Sequence, residues 1–146
     1  MGLLEAIVLV SVLLGSLAIG IIAHEFAHAA VLSLFEIEYE VEWLPDRTDT
    51  DLLRAGLFGS WATVTPVSIP SNVPAWGIRA AAVAPVILAV PALAIAAGLP
   101  PYSLWSTHPT IGIAAIAFMA CAIPSPSDFS LFWHSNDVVE GVDYTE

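Results

Sequence analysis

The sequence predicts an α-helical membrane protein, with three transmembrane helices and a small β-hairpin or sheet between the first and the second. Three observations carry this. Of 146 residues, 58% are hydrophobic and only 12% are charged, about half the charged fraction of a soluble domain. Three apolar runs are spaced along the chain at 6–35, 75–99 and 110–133. Between the first two lies a stretch whose polarity alternates with a period of two, the pattern of a strand with one wet face.

The first run is almost continuously apolar from Ala6 to Phe35. As a helix it spans about 45 Å, more than the roughly 30 Å hydrocarbon core of a bilayer. It is too long for a signal peptide, and Met1–Glu5 holds no basic residue, so it reads as a retained transmembrane helix. In the interruption, Glu36, Glu38, Glu40 and Glu42 alternate with Ile37, Tyr39, Val41 and Trp43. Pro45–Asp51 reads as a turn and Leu57–Pro66 as a second strand, closing a hairpin over 36–66. Its edges cannot face lipid unpaired, which puts it at the surface or against protein.

The second run, Ala75–Leu99, contains Pro85 and Pro91, which mark kinks in a membrane helix. Pro100–Pro109 reads as a loop. The third run, over 110–133, is broken at Pro124 and Pro126. Residues 1–133 thus form the membrane core, and 134–146 an acidic, loose tail.

Charge narrows the function. Fourteen acidic residues face three arginines (Arg47, Arg54 and Arg79) and no lysine, a net charge of −11. That excludes a nucleic-acid binder, because phosphate contacts need Lys and Arg, and it argues against a peripheral protein held by anionic lipid. An acidic, lysine-free balance suits a high-salt cytoplasm and points to a haloarchaeal source. The arginines lie between or at the edge of the first two spans. By the positive-inside rule this puts the N-terminus outside, and the hairpin and the tail in the cytoplasm. The single cysteine, Cys121, allows no internal disulfide and reads as a small packed hydrophobe.

The chemistry concentrates in His24-Glu25-Phe26-Ala27-His28, an H-E-x-x-H motif on the first helix. Spacing of i, i+4 puts both imidazoles on one face, where they can bind one Zn²⁺. Glu25 is placed to take a proton from water at that metal. Two histidines and a glutamate within a membrane helix point to function, because burying them there is costly. Catalytic zinc takes three protein ligands and keeps one open position. Asp128, in Ile123-Pro124-Ser125-Pro126-Ser127-Asp128, is the strongest candidate for the third, since the prolines break the helix and let the carboxylate turn inward. His134 is a weaker rival on the same side; His108 falls on the opposite one.

These residues resemble the site-2 protease family of intramembrane zinc metalloproteases. His24–Glu40 looks like that family's catalytic helix and first strand. Ala84-Pro85 is similar to its Gly-Pro on the central helix, and Pro124–Asp128 to the proline-rich segment that ends in its ligand aspartate. The three features come in the family's order over about residues 10–133. Four family positions differ: no asparagine stands ahead of Pro124 and Pro126, Phe129 stands where a glycine usually follows the aspartate, Ala84 replaces the glycine of the Gly-Pro pair, and Val86–Val90 holds no asparagine.

The resemblance implies zinc held by His24, His28 and Asp128, with Glu25 as general base. The substrate would be a transmembrane protein cleaved in or near its membrane segment, with the hairpin around Trp43–Thr65 offering a strand edge. The expected setting is the cell membrane, multi-pass, with the active site toward the cytoplasm, in contact with the lipid bilayer and open to a homo-oligomer. Two other readings use the same residues: a zinc-binding membrane regulator that does not cleave, and an ion or proton carrier.

Overall fold

The computed structural model describes residues 2–43, 62–99 and 108–140. Helix α1, Leu3–Leu34, is unbroken for 32 residues, about 48 Å. No proline falls within it, and long aliphatic side chains and alanine dominate it. Its end is a Schellman turn. The N–H of Ile37 donates to Leu32 O (3.0 Å) and that of Glu36 to Ser33 O (3.2 Å), with Glu36 in the left-handed region at φ 56°. Ile37 and Leu32 then close the turn as neighbours in the buried core, the apolar contact such turns favour.

The sheet has two antiparallel strands among the described residues, β1 (Glu38–Trp43) and β2 (Ala62–Ser68). Tyr39 pairs with Pro66 and Val41 with Val64, and the register slips between Glu38 and Tyr39. Glu38, Glu40 and Glu42 are exposed while Val41 is half-buried, the wet face the alternation predicts. The second strand is described from Ala62 and runs two residues past Pro66. The expected turn at 45–51 and residues 57–61 lie outside the described residues.

The second apolar run is helical over Ala75–Ala96, but in three pieces: α2 (Ala75–Val83), a 3₁₀ segment (Ala84–Ala89) and α3 (Val90–Ala96). The tightening coincides with Pro85, which has no N–H for the regular ladder. Gly98, at φ 72°, ends the run short of the expected Leu99. Its N–H donates to Ile95 O and that of Leu99 to Ala94 O, a second Schellman turn. The third run is α4 (Pro109–Cys121) and α5 (Pro126–Trp133), bent by 47° at the break. The expected loop from Pro100 lies, through residue 107, outside the described residues.

The loose tail expected from 134 onward needs correction. Ser135–Glu140 forms a short helix, α6. Arg79 Nε on α2 donates to Ser135 Oγ at 2.7 Å, and its guanidinium reaches Asn136 Oδ1 at 3.2 Å. Ser135 is fully buried. The acidic composition did not show that α2 carries a partner for this segment. Residues 141–146 lie outside the described residues.

Among the described residues two helices are long and apolar enough to cross a membrane, Leu3–Leu34 and Ala75–Ala96, and the bent α4–α5 pair meets the same test only when taken as one unit. Leu3, Leu4 and Leu14 lie open, whereas small residues fill the helix contacts. A Cβ on Gly20 would sit 2.7 Å from Cys121 Sγ, and one on Gly77 would sit 3.1 Å from the Phe35 ring. Close backbone approach through small residues is how helices pack where lipid removes the hydrophobic drive between them. The buried cluster of Leu32, Ile37, Val73, Ile78 and Ala81 seats the end of α1 against α2 and the sheet, the end that carries the histidines.

Candidate metal centre

Gly20, His24 and His28 follow one another at i, i+4 along one face of α1, directed at α4 and α2. His24 Nδ1 lies 2.7 Å from Cys121 O on α4, and His28 Nδ1 lies 2.7 Å from Ala81 O on α2. A carbonyl oxygen only accepts, so each Nδ1 carries the hydrogen and donates it. In its neutral form each imidazole then has its lone pair on Nε2. The two Nε2 atoms face each other at 3.2 Å.

Asp128 completes the group. Ser125 caps α5, its Oγ accepting from Asp128 N at 3.2 Å while Asp128 Oδ2 accepts from Ser125 N at 2.6 Å. This reciprocal capping box fixes the carboxylate on the first turn of α5. Oδ2 then lies 3.5 Å from His24 Nε2, and Oδ1 3.3 Å from His28 Nε2. One ligand atom from each of the three residues can be chosen so that all lie within 4.8 Å of one another.

The donor set can be tested against zinc. Ligands at about 2.0–2.1 Å from a tetrahedral centre stand about 3.3 Å apart, close to the 3.2 Å between the two Nε2 atoms, while the carboxylate turns a different oxygen to each imidazole. Two imidazole lone pairs and a carboxylate, turned toward one point, repel one another unless a cation lies among them. The hydrogen bonds of the outer nitrogens to carbonyls, and of the carboxylate to a backbone N–H, are the outer-shell supports usual at metal sites. The three residues form a group that could hold a metal ion.

Glu25 stands outside this group, about 100° around the helix from His24. It borders two cavities. One, of about 220 Å³, is lined by Glu25, His28 and Asp128 from the helices and by Val64, Thr65 and Pro66 from β2. The other, of about 170 Å³, is apolar and lies between Phe26, Ala29, Tyr39 and Val41. The Val64 backbone amide approaches the Glu25 carboxylate, so β2 passes directly over the acid.

His134 does not join the cluster: its Nδ1 bonds Ser130 O on its own helix at 3.0 Å and is exposed. His108 precedes α4 at the end away from Cys121, about 18 Å along the helix from the site. Three parts of the site were not predicted: the two carbonyls, the Ser125 cap and the position of β2. Only the cap had a readable signal, a serine three residues before an aspartate with proline between. No family model, curated protein or solved structure matches this chain.

Proposed function

We propose that this chain is an intramembrane zinc metalloprotease of the site-2 protease type, hydrolysing a peptide bond in or near a transmembrane segment of a membrane-protein substrate. One observation carries the reading: His24, His28 and Asp128 converge with ligand atoms within 4.8 Å of one another, and Glu25 lies beside them in a cavity walled by a strand. A catalytic site of this type needs three ligands, an acid–base group outside the ligand set and space for a peptide.

A bound zinc ion supplies an acidified water and polarises the scissile carbonyl. Glu25 takes a proton from the attacking water as its oxygen bonds the carbonyl carbon. Glu25 then returns a proton to the nitrogen as the C–N bond breaks, releasing an acid and an amine. His24 and His28 hold their orientation through Cys121 O and Ala81 O, and Asp128 through Ser125. The substrate, unwound locally, lies along the edge of β2 not paired with β1, gaining main-chain hydrogen bonds as an added strand. In this reading the bent α4–α5 pair is the third span, and the site faces the cytoplasm with the arginine-bearing segment.

The test is cleavage of a transmembrane reporter by detergent-purified or liposome-embedded protein. Glu25→Gln should lower turnover about 10²–10⁴-fold, the worth of a positioned acid–base group, with one zinc per chain retained. Zinc in the wild type without cleavage of any reporter would instead favour a binding or regulatory role; ion flux without zinc would favour a carrier.

A further inference from the structure

We infer that Pro85 and Pro124 are positioning residues of the metal centre, each keeping a main-chain carbonyl free to fix the tautomer of one zinc-binding histidine. This rests on the metal-centre reading but not on proteolysis.

In a continuous α-helix the carbonyl of residue i is taken by the N–H of residue i+4. The acceptor of His28 is Ala81 O, and residue 85 is a proline, which has no N–H to give it. The N–H of Ala84 turns in to Ala81 O, and the other lone pair of that oxygen takes the imidazole. Pro85 is fully buried and opens the 3₁₀ segment within the second apolar run.

The acceptor of His24 is Cys121 O, at the last residue of α4. The N–H groups that could close on it belong to positions 124 and 125. Position 124 is again a proline. The N–H of Ser125 is engaged 2.6 Å from Asp128 Oδ2. The two prolines act at different offsets, Pro85 at i+4 from Ala81 and Pro124 at i+3 from Cys121, where Asp128 holds the i+4 donor, Ser125 N–H, instead. Each proline removes a competing donor, the freed carbonyl binds Nδ1–H, and Nε2 is left bare toward the metal. Orienting bonds of this kind are worth roughly 10–100-fold in metal affinity.

The experiment measures zinc affinity by chelator competition on the full-length protein in detergent, with ring ¹⁵N shifts of metal-free protein as a tautomer readout. Pro85→Ala restores an N–H that competes for Ala81 O. It should weaken zinc roughly 10–100-fold and shift His28 toward the Nε2–H tautomer, leaving His24 unchanged. Pro124→Ala should do the same to His24 through Cys121 O, leaving His28 unchanged. A third variant carries lactic acid in place of Pro85, an ester linkage with neither ring nor N–H, and should bind zinc like the wild type.

Unchanged affinity and tautomers in both alanine variants would overturn the inference. So would equal loss in the lactic-acid variant, which would trace the effect to ring packing. If Pro85→Ala fails to fold, the lactic-acid and Pro124→Ala variants still decide it. A wild type that binds no zinc would sink the metal-centre reading itself, a result distinct from equal affinity across the set.

Discussion

The two halves of α1 are almost equally apolar in sequence and entirely different in surroundings. From Leu3 to Gly15 no side chain is fully buried, with Leu3 81% and Leu14 60% exposed and Leu9, Val12 and Leu13 half-buried. From Gly20 to Leu32 the buried residues are Gly20, His28, Ala29 and Leu32, and α4, α2 and β2 close around them. Hydrophobicity therefore does not decide where this helix packs. Small and polar residues do, as expected where lipid solvates an apolar surface as well as another helix does. The exposed half is suited to lipid and the packed half to chemistry.

The sharpest break of that contrast removes the polar residues of the packed half. His28→Ala and Asp128→Ala should each lower zinc affinity more than about 100-fold, beyond the cost of losing an outer-shell bond. Asp128→Asn should be nearly as damaging, because a neutral amide is a poor zinc ligand. His134→Ala should leave metal content unchanged. Metal analysis after dialysis against a weak chelator measures all four. Full zinc retention in Asp128→Ala would remove it from the ligand set.

One substitution should take opposite signs in the two halves. Gly20→Ala drives a methyl group into Cys121 at the α1–α4 contact, costing about 1–3 kcal/mol. It should also loosen zinc, since Cys121 O holds His24. At Gly15 an added Cβ meets nothing within 4 Å, so Gly15→Ala should stabilise the helix by about 0.5–1 kcal/mol. Denaturation in mixed micelles, followed by circular dichroism, compares them. Equal effects would mean that α4 does not pack as tightly on α1 as described.

The smallest effect is expected where the packed half ends. The two Schellman turns differ at the left-handed position: α3 places Gly98 there and α1 places Glu36. A side chain in that conformation costs about 1 kcal/mol, so Glu36→Gly should stabilise the protein by about that amount, with zinc affinity unchanged. A loss of stability would show that the Glu36 side chain makes a compensating contact.

Some of this was readable beforehand. His24, Glu25 and His28 are local, and the helical period alone places two rings on one face and the acid beside them. Asp128 was readable because two prolines in an apolar run announce a break, which left few residues for the third ligand. The Ala81 and Cys121 carbonyls were not, because a backbone acceptor leaves no residue type in the sequence; only the proline that frees it can be seen. The approach of β2 to Glu25 was hidden for a related reason. Alternation gives a strand its faces but does not say which edge meets which helix. The docking of α6 depends on a side chain, Arg79, more than fifty positions away.

That docking decides where the protein can be handled. α6 leaves the bundle from beside the turn of α2 that bears Ala81, the support of His28. A tether or label fixed on α6 itself would bear on Ser135 and Arg79, and through α2 on the candidate metal group. The Leu3 end of α1 is insulated: it lies about 32 Å along the helix from His24. Handles and immobilisation belong on that end, and a reporter on α6 would itself perturb the group it is meant to follow.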